Sequence, residues 1–109
     1  MDPIHTFVKH FGQARYEDLP PQVVETVKMT ILDTMGAALA GSASDAGRSI
    51  ARIAKGYGGG TGSTVVVHGG KVAPPLAALA NGIMARCREL AGTHEIGGGH
   101  VGVCIVPAA

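Results

Sequence analysis

Charge is scarce in this chain. Its 109 residues include nine Lys and Arg and eight Asp and Glu, 16% of the total, where about 25% is ordinary for a soluble domain. The net charge is only +1. There is no basic stripe of the kind nucleic acid requires, and no acidic run that would suggest a disordered tail. Aromatic residues are nearly absent: two Phe, two Tyr and no Trp. Two cysteines, Cys87 and Cys104, are too few for a disulfide framework, so a reduced cytoplasmic setting is the default. The opening Met1-Asp2-Pro3-Ile4-His5 lacks the basic stretch and apolar run of a signal peptide. No segment supplies the ~18 uncharged apolar residues of a membrane span. A soluble, cytosolic protein is expected.

What the chain does have is apolar bulk: 46% of its residues are hydrophobic, with Ala and Val prominent. Its length allows one domain at most. A small domain has a large surface for its volume and normally covers it with charge. This one has too little, so much of its surface is expected to be buried against more protein, in the same enzyme or in an oligomer.

The periodicity predicts a mainly α chain with one small hairpin. Asp2-Pro3 reads as a helix start, Asp2 capping and Pro3 in the first turn. Ile4, Phe7, Val8 and Phe11 then recur at helical spacing, and Gly12 marks a stop. A second helix is expected from Pro21 to Ala40, with Val24, Val27, Ile31 and Met35 facing inward and Leu32 and Leu39 widening that face. Its second half is small and apolar all round, as in a helix packed closely by neighbours, and Gly41 ends it. Ser42-Ala43-Ser44-Asp45 fits the Ser-x-x-acid capping pattern, with Ser42 as the cap and Asp45 in place of the usual Glu or Gln. A third helix then runs to about Tyr57, with Ala46, Ile50, Ile53 and Tyr57 inward and Arg48, Arg52 and Lys55 in solvent.

Gly58-Gly59-Gly60 breaks that helix. Gly58-Gly59-Gly60-Thr61-Gly62 has the glycine content of a phosphate loop. It follows a helix and precedes a strand, the reverse of the required context, and no Gly-Lys-Ser/Thr follows. A plain connection is the better reading. Thr64–His68 and Lys71-Val72 flank Gly69-Gly70 as a hairpin, with His68 exposed at its tip. Pro74-Pro75 opens a fourth helix to about Leu90, carrying a stripe of Leu76, Leu79, Ile83 and Cys87 beside a small-residue stripe of Ala77, Ala78, Asn81 and Ala85. Gly97-Gly98-Gly99-His100 then leads into the apolar run Val101–Ala109. That run ends without a cap, which suggests a fragment or a subunit needing a partner.

Several segments, in order, resemble the opening of the MmgE/PrpD family. They are Tyr16-Glu17-Asp18-Leu19-Pro20-Pro21, Leu32-Asp33-Thr34-Met35-Gly36 with Ala38–Gly41, His68-Gly69-Gly70-Lys71-Val72, and Ala77–Gly82. Thr93-His94-Glu95 leading to Gly98-Gly99-His100-Val101-Gly102 completes the set. The family includes 2-methylcitrate dehydratase, cis-aconitate decarboxylase and an iminodisuccinate epimerase. The resemblance implies a large helical domain with a smaller α/β lid, usually as a homodimer. Residues 1–109 would be the N-terminal segment of the helical domain, a single and incomplete domain. It also implies proton transfer next to a carboxylate by side chains alone, without metal or organic cofactor, on small di- or tricarboxylic acids.

Glu89 to His100 concentrates titratable groups in a loop between apolar helices, where sites commonly form. His94 and His100 exchange protons near neutral pH, which fits them as catalytic groups. Thr93 offers a hydroxyl to a substrate carboxylate. Gly97, Gly98 and Gly99 offer backbone N–H groups, and the following helix its dipole. The motif match singles out Thr93 and His100. The family's usual run before the Thr is Asp-Phe-Asp-Asp; here it is Glu89-Leu90-Ala91-Gly92. Glu89 keeps a carboxylate at the first position, as a substrate-binding candidate or a solvated helix-end acid, and two acids are gone. His94 reads equally as a structural residue. Asp33 reads as structural, bonded to backbone or a neighbouring side chain. Cys87 and Cys104 read as small core hydrophobes, and Arg86 and Arg88 as a solvated face. His94, His100, Glu89 and Cys104 lack a zinc spacing, so no metal is expected. Three readings stand: part of a lyase completed by further chain or a partner subunit, a truncated or diverged non-catalytic homologue serving as a binding or assembly module, or, resting only on the glycine loop, a small anion-binding helical protein with no lyase link.

Overall fold

The computed structural model describes residues 2–57 and 62–109. The glycine break and the phosphate-loop resemblance fall largely on residues 58–61, outside the described residues. The chain is mainly α, as expected. Its elements are α1 (Pro3–Gln13), a 3-10 turn (Tyr16–Asp18), α2 (Pro21–Ser42), α3 (Asp45–Gly56), β1 (Ser63–Thr64), β2 (Lys71–Val72), α4 (Pro74–Arg86) and α5 (Val101–Ile105).

The local rules place the helix starts. The Asp2 carboxylate accepts the Ile4 N–H at 3.0 Å, and Ser44 caps α3 by accepting from the Gly47 N–H at 3.0 Å. α2 and α4 both begin on prolines, where the missing N–H is not needed.

The inward faces differ from the expectation. In α2 the buried residues are Thr34, Ala37, Ala38, Gly41 and Ser42, while Val27, Ile31, Leu32, Met35 and Leu39 are exposed. In α3 the buried residues are Gly47, Ala51 and Ala54, with Ile50 only partly covered and Ala46, Ile53 and Tyr57 exposed. In α4 they are Ala77, Ala80, Met84 and Ala85, and Leu79 faces out. The cause is the close approach of the helices. A Cβ added to Gly41 would lie 1.8 Å from the Met84 carbonyl oxygen, and one added to Gly47 would lie 2.2 Å from the Gly41 carbonyl oxygen. At such separations only Gly and Ala fit between backbones, so the larger side chains take the outer faces.

Other expectations are corrected as well. α4 stops at Arg86, four residues early, and Glu89 adopts a left-handed φ of 56°, the turn with which helices commonly reverse. Cys104 is exposed instead of buried; Cys87 is half-buried, its Sγ 3.3 Å from the Ser44 hydroxyl. α1 forms, but Ile4, Phe7, Val8 and Phe11 are 57, 63, 65 and 66% exposed. α1 touches no other described element.

The hairpin exists with shorter strands than expected. Ser63 pairs with Val72 and Thr64 with Lys71. Val65 and Val72 are fully buried, and residues 66–68 form a turn with Val67 at a φ of 67°. His68 is half-buried and not at a free tip: its Nε2 donates to the Ser42 carbonyl at 3.1 Å, and the Lys55 ammonium donates to its carbonyl at 2.6 Å. Asn81 ties the hairpin to α4. Its Oδ1 accepts from the Val66 N–H at 2.9 Å and its Nδ2 donates to the Thr64 carbonyl at 3.1 Å. Asn81→Ala strands both backbone groups and should cost about 2 kcal/mol, lowering the melting temperature by roughly 10 °C in a domain of this size. Thermal denaturation followed by circular dichroism checks this; an unchanged midpoint would remove Asn81 from the account of the hairpin.

Candidate functional site

The first two-thirds of α2 carries Thr26, Thr30 and Asp33 at helical spacing, so their side chains share one face. This face, with Met29, forms one wall of an open cleft of about 580 Å³. Ala91, Gly92, Thr93 and His94 from the loop after α4, and Val101 and Gly102 from α5, form the other. The size falls in the range of small-molecule sites.

Three tethers hold the loop to that wall. The Asp33 Oδ2 accepts the Gly92 N–H at 3.0 Å, across 59 residues of sequence. Ala91 is buried. Gly102 packs so tightly on α2 that an added Cβ would lie 2.6 Å from the Thr34 hydroxyl.

Within the loop, His94 is bonded at three atoms. Its N–H donates to the Gly99 carbonyl at 2.9 Å, its carbonyl accepts the Gly98 N–H at 2.8 Å, and its Nδ1 accepts the Gly97 N–H at 2.9 Å. A ring nitrogen that accepts a hydrogen bond carries no proton. In neutral His94 the proton therefore sits on Nε2, which is a donor. His100 is held the other way. Its Nδ1 is 3.0 Å from the Ala91 carbonyl, which can only accept, so Nδ1 carries the proton and Nε2 keeps its lone pair. The Thr93 hydroxyl lies 3.5 Å from the same Nδ1. The two histidines are thus fixed in opposite tautomers by backbone groups.

The residues singled out in the sequence fall into two groups. Thr93, His94 and His100 are brought together: Thr93 and His94 line the cleft, and His100, which does not, lies with its Nδ1 3.5 Å from the Thr93 hydroxyl. Glu89 stands apart. It is ion-paired with Arg86 on the surface and does not line the cleft. The Gly97 and Gly98 N–H groups are taken up by His94, leaving neither for an anion. α5 has only five residues. Arg86 and Arg88 do not line the cleft, and no Lys or Arg does. The described residues contain no cluster of three His, Cys, Asp or Glu able to hold a metal, and no helix among them is long and apolar enough to cross a membrane.

The sequence reading missed the α2 wall. Asp33 bonds to backbone, as expected, but it also lines the cleft together with Thr26, Met29 and Thr30. The signal was there: Thr26, Thr30 and Asp33 recur at helical spacing and form a polar stripe along α2.

No curated protein and no solved structure matches the chain significantly. The family model of the MmgE/PrpD N-terminal domain matches residues 5–109, a span that runs from the first turn of α1 through α5. This chain belongs to the MmgE/PrpD N-terminal domain family.

Proposed function

We propose that the chain supplies one wall of the pocket of a cytoplasmic, cofactor-independent lyase, a dehydratase, decarboxylase or isomerase of small di- or tricarboxylic acids such as 2-methylcitrate. Residues 1–109 serve as the N-terminal segment of a helical domain, completed by further chain or a partner subunit, with a homo-oligomer the expected assembly. The observation that carries the reading is the closure of Thr93, His94 and His100 into one loop at a cleft of about 580 Å³ in a chain of this family. Thr93 and the His94 Nε2–H offer hydrogen bonds to a substrate carboxylate. His100 does not itself line the cleft in this chain; its Nε2 lone pair is assigned the proton transfer alpha to that carboxylate, in the pocket that the completing segment closes. The cleft wall has no Lys or Arg, so the cations that neutralise a polyanion come from the completing segment.

A second reading, an assembly module without turnover, is favoured by Ala91 and Gly92 standing where the family carries acids and by the exposed apolar faces of α1 and α2. Purifying the protein with whatever completes it, sizing the assembly, and assaying it on 2-methylcitrate and related acids separates the two. The lyase reading expects turnover that survives exhaustive chelation, and a 109-residue chain that is inactive alone. A well-formed assembly that turns over none of these acids sinks that reading and leaves the module.

A further inference from the structure

Asp33 sits near the middle of α2, a position that suits Asp poorly, because its short polar side chain competes for backbone bonds. No cation pairs with its carboxylate among the described residues. Its Oδ2 instead reaches the Gly92 N–H at 3.0 Å, directly before Thr93. A Cβ added at Gly92 would stand 3.4 Å from the same oxygen, an ordinary contact distance.

Apart from the buried Ala91 and the packing of Gly102 on α2, the loop has little else to hold it. From Arg88 to Gly98 every residue except Ala91 is exposed. The His94 bonds all close within the loop, and the His100 bond runs to Ala91 of that same loop. They shape the loop but do not fix it to α2. The Asp33–Gly92 bond does, and a carboxylate acceptor makes such a bond stronger than a neutral one.

We infer that Asp33 is a positioning residue: its carboxylate clamps the Gly92 backbone and thereby sets where Thr93 and His94 stand on the cleft. It acts through the loop, without touching substrate. The functional half of this inference rests on the lyase reading; the clamp itself does not.

The test uses two variants. Asp33→Ala removes the acceptor, and Asp33→Asn keeps a carbonyl oxygen able to accept the same N–H. In the 109-residue chain, amide hydrogen exchange of Gly92 should speed up about tenfold in Asp33→Ala, the loss of roughly one charge-assisted hydrogen bond. The α4 amides should exchange as before, which shows the fold intact. Asp33→Asn should restore most of the Gly92 protection and return its amide resonance towards the parent position. In the complete assembly, kcat should fall by about tenfold or more in Asp33→Ala, since ~1 Å of misplacement can cost a hundredfold, and should recover in Asp33→Asn. Unchanged Gly92 exchange in Asp33→Ala overturns the inference. Faster exchange with undiminished turnover leaves the clamp standing and removes the site from this loop.

Discussion

Replacing Gly41 with alanine should destabilise the protein by about 3 kcal/mol or more, while the same change at Gly36, five residues earlier in the same helix, should stabilise it by up to about 1 kcal/mol. Helix propensity favours Ala at both positions. The difference is what the new methyl meets. At Gly36 nothing lies within 4 Å. At Gly41 the Cβ would sit 1.8 Å from the Met84 carbonyl oxygen and 2.8 Å from the Cys87 Sγ. The first of these is a backbone atom and cannot swing aside, so α2 and α4 must separate. Because the buried core is largely alanine, with Met84, Val65 and Val72 its largest fully buried apolar side chains, separation opens the whole interface. Melting temperatures of the two variants should therefore move in opposite directions, Gly41→Ala down by roughly 15 °C. Equal shifts would mean that the helices do not approach as described.

The same geometry explains which parts of the fold could be read in advance. Helix starts at Pro3 and Pro74 were legible because capping is local chemistry; that of α3 was read two residues early, with Ser42 in place of Ser44 as the cap. The buried face of α2 was not. Thr34, Ala37, Ala38 and Gly41 recur at helical spacing as regularly as Val24, Val27, Ile31 and Met35. A single strand of sequence offers both stripes, and bulk favours the second. Only the partner decides, and Met84 and Ala85 on α4 come close enough to admit small residues alone. The end of α4 was hidden for a similar reason: Glu89 takes a left-handed turn that glycine usually advertises.

Within the candidate site, the grouping of Thr93, His94 and His100 was legible because they lie within eight residues of one another in a recognisable pattern. Their roles were not. The opposite tautomers of His94 and His100 follow from the Gly97 N–H and the Ala91 carbonyl, partners that depend on the loop's shape. The α2 wall was hidden because the contact between Asp33 and Gly92 spans 59 residues and leaves no spacing to read. The glycine run promised free N–H donors, yet two of the three close back on His94.

His100→Ala should carry the other large effect, a loss of about a hundredfold or more in turnover, the range expected when a general acid or base is removed. Two contributions need separating. The ring holds the Ala91 carbonyl through Nδ1 at 3.0 Å, and its Nε2 is the group to which the proposal assigns proton transfer. Alanine deletes both. Asparagine can keep an N–H near the Nδ1 position while offering no base, so His100→Asn tests the second role alone. If the ring mattered only as a tether, asparagine would recover most of the activity. If it moves the proton, asparagine stays as low as alanine while melting returns towards the parent value.

The most direct test of the central claim is the turnover number of the complete assembly on a citrate-like acid, measured for the parent, His100→Asn and His100→Ala. The lyase account expects both variants to lose about a hundredfold or more with the assembly still folded; turnover that survives both unchanged would contradict it.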